Sequence, residues 1–208
     1  MKLLREENKM KKFELTTETK INISGKKIFR IKALISFGLI IAGEKGGWIE
    51  KEENLSQYGN AWIYDDAEVS GNAMVYDNAC VRGNACVFGN AWIYDNACVR
   101  DNACVFGNAC VRGNACVFDN ACVRGNAEVS GNAWVRSNAD YTTIHGFGTH
   151  FRTTTFFRCK DKEIKVTCGC FFGTISEFRD QVKRTRKGKV AEEYLMIADL
   201  MEKHFKEE

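Results

Sequence analysis

Two consecutive units, Gly113-Asn-Ala-Cys-Val-Phe118 and Asp119-Asn-Ala-Cys-Val-Arg124, carry the pattern that decides the fold. Reading outward from them, alanine recurs every six residues from Ala61 to Ala139, fourteen times without an insertion. Ile or Val follows each alanine by two positions from Ile63 to Val135, and Tyr141 closes the series. Asn precedes every one of these alanines except Ala67, where Asp66 stands. Residues two apart in an extended segment point to the same side, so each unit offers one Ala and one Val to a common interior. Six residues are too few for a helix but suit one short strand and one corner, and Gly, Asp and Asn accept corner dihedrals that other residues resist. The expected structure is a solenoid with Ala and Val stacked inside, successive coils about 4.8 Å apart, and Asn columns bonded along the stack.

These residues, over 59–142, resemble the hexapeptide-repeat left-handed β-helix proteins, in which three hexapeptides form a coil of eighteen residues. The resemblance implies a mainly β fold, a left-handed parallel β-helix of about 4.5 coils, and its handedness comes from the resemblance alone. One departure is visible. The family often carries Gly, Ala, Glu or Asp directly after the aliphatic residue, whereas this chain has Arg, Phe, Tyr or Ser there, which shifts the corner by one residue.

At eighteen residues per coil, the two side chains flanking each Val are expected to face outward on three faces. The first shows Trp62/Tyr64, Cys80/Arg82, Cys98/Arg100, Cys116/Phe118 and Trp134/Arg136. Arg82 above Arg100 is a candidate anion site. The second shows Glu68/Ser70, Cys86/Phe88, Cys104/Phe106 and Cys122/Arg124, then Asp140/Thr142, with Phe88 and Phe106 in an apolar strip. The third shows Met74/Tyr76, Trp92/Tyr94, Cys110/Arg112 and Glu128/Ser130. Met74, Tyr76, Trp92 and Tyr94, with Arg112 nearby, form the candidate binding cluster, because exposed apolar patches mark interaction surfaces.

The chain has 208 residues with a net charge of +3, ten cysteines and no proline. Proline would interrupt stacked strands. Seven cysteines occupy one repeat slot, in columns such as Cys80-Cys98-Cys116 and Cys86-Cys104-Cys122. Parallel side chains in register fit a disulfide poorly, so reduced thiols, a cytoplasmic setting and packing as small hydrophobes are expected. Nothing at the start reads as a secretory signal. The most apolar window, 33–43, is about half the roughly 20 residues that span a bilayer, so no membrane partner is expected.

Four segments are expected: a tail (1–11), dispensable at least up to Met10, an alternative start; a β cap and lead-in (12–58); the repeat (59–144); and a C-terminal β-hairpin with two helices (145–208). The cap hairpin turns at Ser24-Gly25-Lys26. The C-terminal hairpin pairs 151–157 with 164–172 across Lys160-Asp161-Lys162. Thr174 or Ser176 caps a helix to about Thr185, and 190–205 has helical spacing. Lys183, Arg184, Arg186, Lys187 and Lys189 read as a solvated basic loop, without the aromatic interleaving of a nucleic-acid site. The segments Thr155-Phe-Phe-Arg158, Val166-Thr-Cys-Gly-Cys-Phe171, Gly173-Thr-Ile-Ser-Glu-Phe178 and Tyr194-Leu-Met-Ile-Ala198 resemble a C-terminal module of phage and prophage proteins. Gly46-Gly-Trp-Ile-Glu50 and Glu53-Asn-Leu-Ser56 likewise resemble the lead-in to their repeats. This implies a mobile-element origin and an accessory role, such as capturing a host protein or small metabolite to blunt a defence system.

The β-helix resemblance also implies acyltransferase or zinc hydratase chemistry. Either needs histidine, yet His145, His150 and His204 all lie outside the repeat. Zinc hydratase is thereby excluded, and acyl transfer would need His145 or His150 at a subunit interface. Cys159, Cys168 and Cys170, with His150, are an alternative zinc set whose spacing is unlike common structural sites. The expected function is therefore a non-catalytic solenoid, without cofactor or metal, that self-assembles as a homo-oligomer or binds a partner through its faces.

Overall fold

The computed structural model describes residues 10–206. Strands β1 (Phe13–Ile21) and β2 (Lys27–Ala33) form an antiparallel hairpin, and β3 (Lys45–Ile49) adds to it. A short 3-10 turn, Glu52–Asn54, follows. Thirteen two-residue strands then run from β4 (Trp62–Ile63) to β16 (Trp134–Val135), one per repeat unit. Each pairs in parallel with the strand three units away, as in Val81↔Val99↔Val117, which is the expected stacking at eighteen residues. The result is a three-sided β-solenoid. Its alanines from Ala61 to Ala133 and aliphatics from Ile63 to Val135 are all buried in one continuous core.

The corners explain the composition of the repeat. From Gly59 to Gly131 the residue two before each alanine sits in the left-handed region, with φ between 53° and 77°, and it is Gly or Asp. The corner residue therefore stands two after the aliphatic, not directly after it. Asn supplies the second element. Its backbone N–H donates to the corner carbonyl of the next coil, as from Asn78 to Asp95 (2.9 Å). Its side chain donates to the next Asn in the column, for example Asn60 to Asn78 (2.9 Å) and Asn90 to Asn108 (2.9 Å).

The solenoid begins earlier and ends sooner than the alanine series. Ile49 pairs beside Val69 and Leu55 bridges to Val75, so residues before the recognisable repeat complete a first coil. There are thus about five turns rather than 4.5. Gly47 takes the alanine slot because a Cβ there would lie 2.4 Å from Ile63 Cγ2 and 2.7 Å from the Ala67 carbonyl. The fourteenth unit, in contrast, forms no coil, and Ala139 is exposed. Ser137 replaces the Gly or Asp of the corner, and Asp140 folds back to accept hydrogen bonds from the Arg136 and Ser137 amides (3.0 and 2.8 Å). Tyr141 instead begins β17 (Tyr141–Phe147), outside the solenoid.

Both open ends are covered. At the first coil, Trp62 is fully buried, against the expectation that it faces outward, because Phe13 and Phe37 pack edge-on to it (6.3 and 5.3 Å). Lys12 is also buried there. Its ammonium donates to the carbonyl of Ala61 (3.0 Å), and burial lowers its pKa from 10.5 to about 8. At the last coil, β17, β18 (Arg152–Arg158), β19 (Ile164–Cys168) and β20 (Phe171–Thr174) form an antiparallel sheet. The expected single strand 164–172 is broken at Gly169, which has φ of 60°. The cap satisfies the free edge with side chains: Asn138 and Tyr141 bond the Cys122 amide and carbonyl (2.8 and 2.7 Å). Thr155 and Thr167 do the same for Glu128 (3.0 and 2.9 Å). Phe157 enters the solenoid core, while Phe156 faces a second core with α1 (Ile175–Thr185) and α2 (Gly188–His204). Thr174 and Glu177 form a capping box at the start of α1.

A left-handed residue with a side chain costs roughly 1–2 kcal/mol unless it is Asn or Asp. Gly107 has φ of 77°, and a Cβ would meet the Gly125 backbone at 3.0 Å. Gly107→Ala should therefore lower the unfolding free energy by at least about 1–2 kcal/mol in urea titration. Asp101→Gly, at an equivalent corner, should change it by much less.

Candidate functional site

The third face carries the site with the most chemical content. Its strands are β6 (Met74–Val75), β9 (Trp92–Ile93), β12 (Cys110–Val111) and β15 (Glu128–Val129), with Leu55 beside β6. Val75 over Leu55 aligns Tyr76 with Ser56, so the stack of Tyr94 on Tyr76 (4.9 Å, 5° between planes) stops at a small residue. The missing ring leaves a groove of about 660 Å³ at the first coil. Its walls are the segment Glu52–Tyr58 on one side and Met74, Tyr76 and Trp92 on the other. Trp92 and Met74 remain 49% and 41% exposed, and Trp92 stands nearly perpendicular to Tyr76 (79°, 6.4 Å).

Three of the four predicted aromatic-cluster residues thus line one concavity. Tyr94 supports it from behind, and burial raises the pKa of both phenols, that of Tyr76 to about 12. Arg112 is not part of the groove: it bonds Glu128 (2.6 Å) farther along the face. Glu52, Glu53 and Ser56 are groove residues that the repeat pattern missed. They belong to the first coil, where no alanine marks the register. The legible signal was Leu55 itself, six residues after Ile49 as Val follows Val in the repeat.

The other candidates fall out differently. On the first face, Arg100 bonds Asp101 (2.6 Å) and lies over Phe118 (4.3 Å), while Arg82 is exposed. Cys116 and Phe118, expected to face solvent, are buried by this packing and by Trp134, whose ring is 4.7 Å from that of Phe118. On the second face Phe88 and Phe106 stack at 4.8 Å and are half-buried. His145 and His150 are both exposed around the β17–β18 turn. Cys159 packs into the end of the solenoid core, whereas Cys168 packs against the helical core and Cys170 is exposed. The structure therefore does not gather the alternative zinc set. Among the described residues, no group of three or more His, Cys, Asp or Glu is placed to hold a metal ion.

All ten cysteines are free thiols. Cys80 and Cys98 approach to 3.1 Å between sulfurs. Their bond holds Cys80 below the usual thiol range; at Cys98 the bond to Cys116 pulls the pKa down, but the bond to Cys80 and burial together outweigh it and raise it to about 11. In the neighbouring column, burial and the flanking Cys122 and Cys86 push Cys104 to about 12.

No protein-family model matches the chain. A curated relative is the uncharacterized acetyltransferase YdcK of Escherichia coli, 46% identical over 41 residues. That match covers 20% of this chain and 13% of the relative's length. No helix among the described residues is long and apolar enough to cross a membrane.

The raised thiol sets a pH dependence. A folded pKa of about 12 for Cys104 against an ordinary 9.0 means its stabilisation is complete below pH 9 and is lost as pH rises toward 12. Lys12 acts oppositely, adding stability between about 8 and 10.5, but it is common to both proteins in the comparison. Cys104→Val should therefore show a smaller fall in melting temperature between pH 9 and 11 than the parent chain. Parallel curves would remove Cys104 from the explanation.

Proposed function

We propose that the protein is a non-catalytic β-solenoid scaffold that binds through its outer faces, with the third-face groove as its binding site. The observation that supports this most is the groove itself. It is concave, largely apolar, within the range of about 300–1,000 Å³ usual for ligand sites, and lined by exposed Trp92 and Met74. The half-buried Phe88–Phe106 strip is assigned to self-association into a homo-oligomer. The finer role, a mobile-element accessory protein that captures a host protein or metabolite in the cytoplasm, rests on the likeness of its two ends to phage modules.

A neutral apolar dye such as Nile red should bind the chain and lose most of its affinity in the Met74→Ser/Trp92→Ser variant, with the circular dichroism spectrum unchanged. Equal binding by that variant would overturn the groove as the site. Light scattering should likewise show a smaller assembly for Phe88→Ser/Phe106→Ser than for the parent chain.

A second reading, acyl transfer, is favoured by the short stretch shared with the acetyltransferase-named relative. In it, His145 or His150 of one subunit would act as base for a neighbour. Calorimetry with acetyl-CoA separates the two readings. We expect no heat; binding that turns over in the parent chain and stops in His145→Ala or His150→Ala would establish the enzyme.

A further inference from the structure

We propose that the groove takes a small organic cation, a methylated ammonium group of the choline type; this rests on the reading of the groove as the binding site. Two ring planes meet near a right angle there. Tyr76 has one face covered by Tyr94, so the side turned to the groove is its other face. Trp92 stands at 79° to it. Such a corner presents the negative side of an aromatic ring to a guest, which attracts a cation held within about 6 Å of the ring centre.

The opposite wall supplies formal charge. Glu52 and Glu53 both line the groove, and none of its lining residues is basic. Glu52 is paired with exposed Lys11 (2.9 Å), whereas Glu53 makes no ion pair among the described residues. The backbone that carries them is held in place. Asn54, fully buried between coils, donates to the carbonyls of Gly71 (3.1 Å) and Ala73 (2.8 Å) and anchors the turn that carries them.

Four chemical classes of guest then separate. An anion meets uncompensated carboxylate charge. A purely apolar guest gains contact with the walls but nothing from Glu53 or the ring faces, so it binds more weakly than a cation of the same shape. A primary ammonium is compact and strongly hydrated, so it gives up more on entering an apolar corner. A methylated ammonium keeps the charge, sheds water readily and presents methyl groups to Trp92, Tyr76 and Met74.

The test is calorimetric titration of the full chain with choline and with its neutral tert-butyl isostere, matched in shape. Choline should bind about tenfold tighter than the isostere. Trp92→Leu keeps an apolar wall without the indole and should weaken choline about tenfold while leaving the isostere nearly unchanged. Glu53→Gln, on the surface and folding-neutral, should also weaken choline selectively. Equal affinity for the two guests, or unchanged choline affinity in both variants, overturns the cation assignment. If Nile red binds and choline does not, the cation assignment fails and the groove stands. If neither binds, both fail.

Discussion

The structure depends on one backbone conformation repeated at every corner. A left-handed residue lets the chain turn within a unit of six, and only Gly and Asp fill that position in the coils. Once the corners are set, strands three units apart fall into register, and the Asn that follows each corner finds its counterpart one coil away. The small alanine beside a branched aliphatic then fills an interior too narrow for larger pairs. Where Ser137 stands in the corner position, the coil stops, and the chain crosses into an antiparallel cap.

That dependence explains which parts were readable from the residues. The solenoid, its three faces and the register between Tyr76 and Tyr94 follow from a period of six, because the backbone repeats wherever the corner chemistry repeats. The first coil was hidden because its alanine slots hold Gly47 and Glu53, and because Leu55 and Ile63 are eight residues apart rather than six. Two extra residues bulge out at that one corner. The fourteenth unit misled for the opposite reason: Asn138 and Ala139 preserve the letters of the repeat after the corner residue has been lost. Trp62 occupies an outward slot in the pattern, but a slot says nothing of what a distant segment lays over it, and Phe13 and Phe37 do so.

The candidate site was half legible on the same grounds. Met74, Tyr76 and Trp92 are repeat residues, so their grouping follows from register. The groove between them and the lead-in needs Ser56 to be small and Glu52 and Glu53 to be brought back over the first coil, and both depend on the irregular corner. Charged candidates were less well served. Arg100 and Arg112 share faces with their predicted neighbours, yet Asp101 and Glu128 engage their guanidinium groups locally. A face-by-face inventory places side chains on a common surface, and it does not say which of them the adjacent coil has already engaged.

The caps bind the last coil edge by edge: Asn138 and Tyr141 serve one side, Thr155 and Thr167 the next, and Cys159 bridges to Ala133 on the third. Each cap group is thus keyed to a particular side of the triangle. Lengthening the solenoid by eighteen residues would move the cap along the axis and return it to the same sides. Lengthening it by six would rotate the last coil and the cap together by a third of a turn, leaving Thr155 and Thr167 on the Glu128 edge but turning that whole end relative to the first coil. Whole-coil changes in length therefore conserve the angular relation between the groove at one end and the helices at the other, whereas single units reset it in steps of a third of a turn.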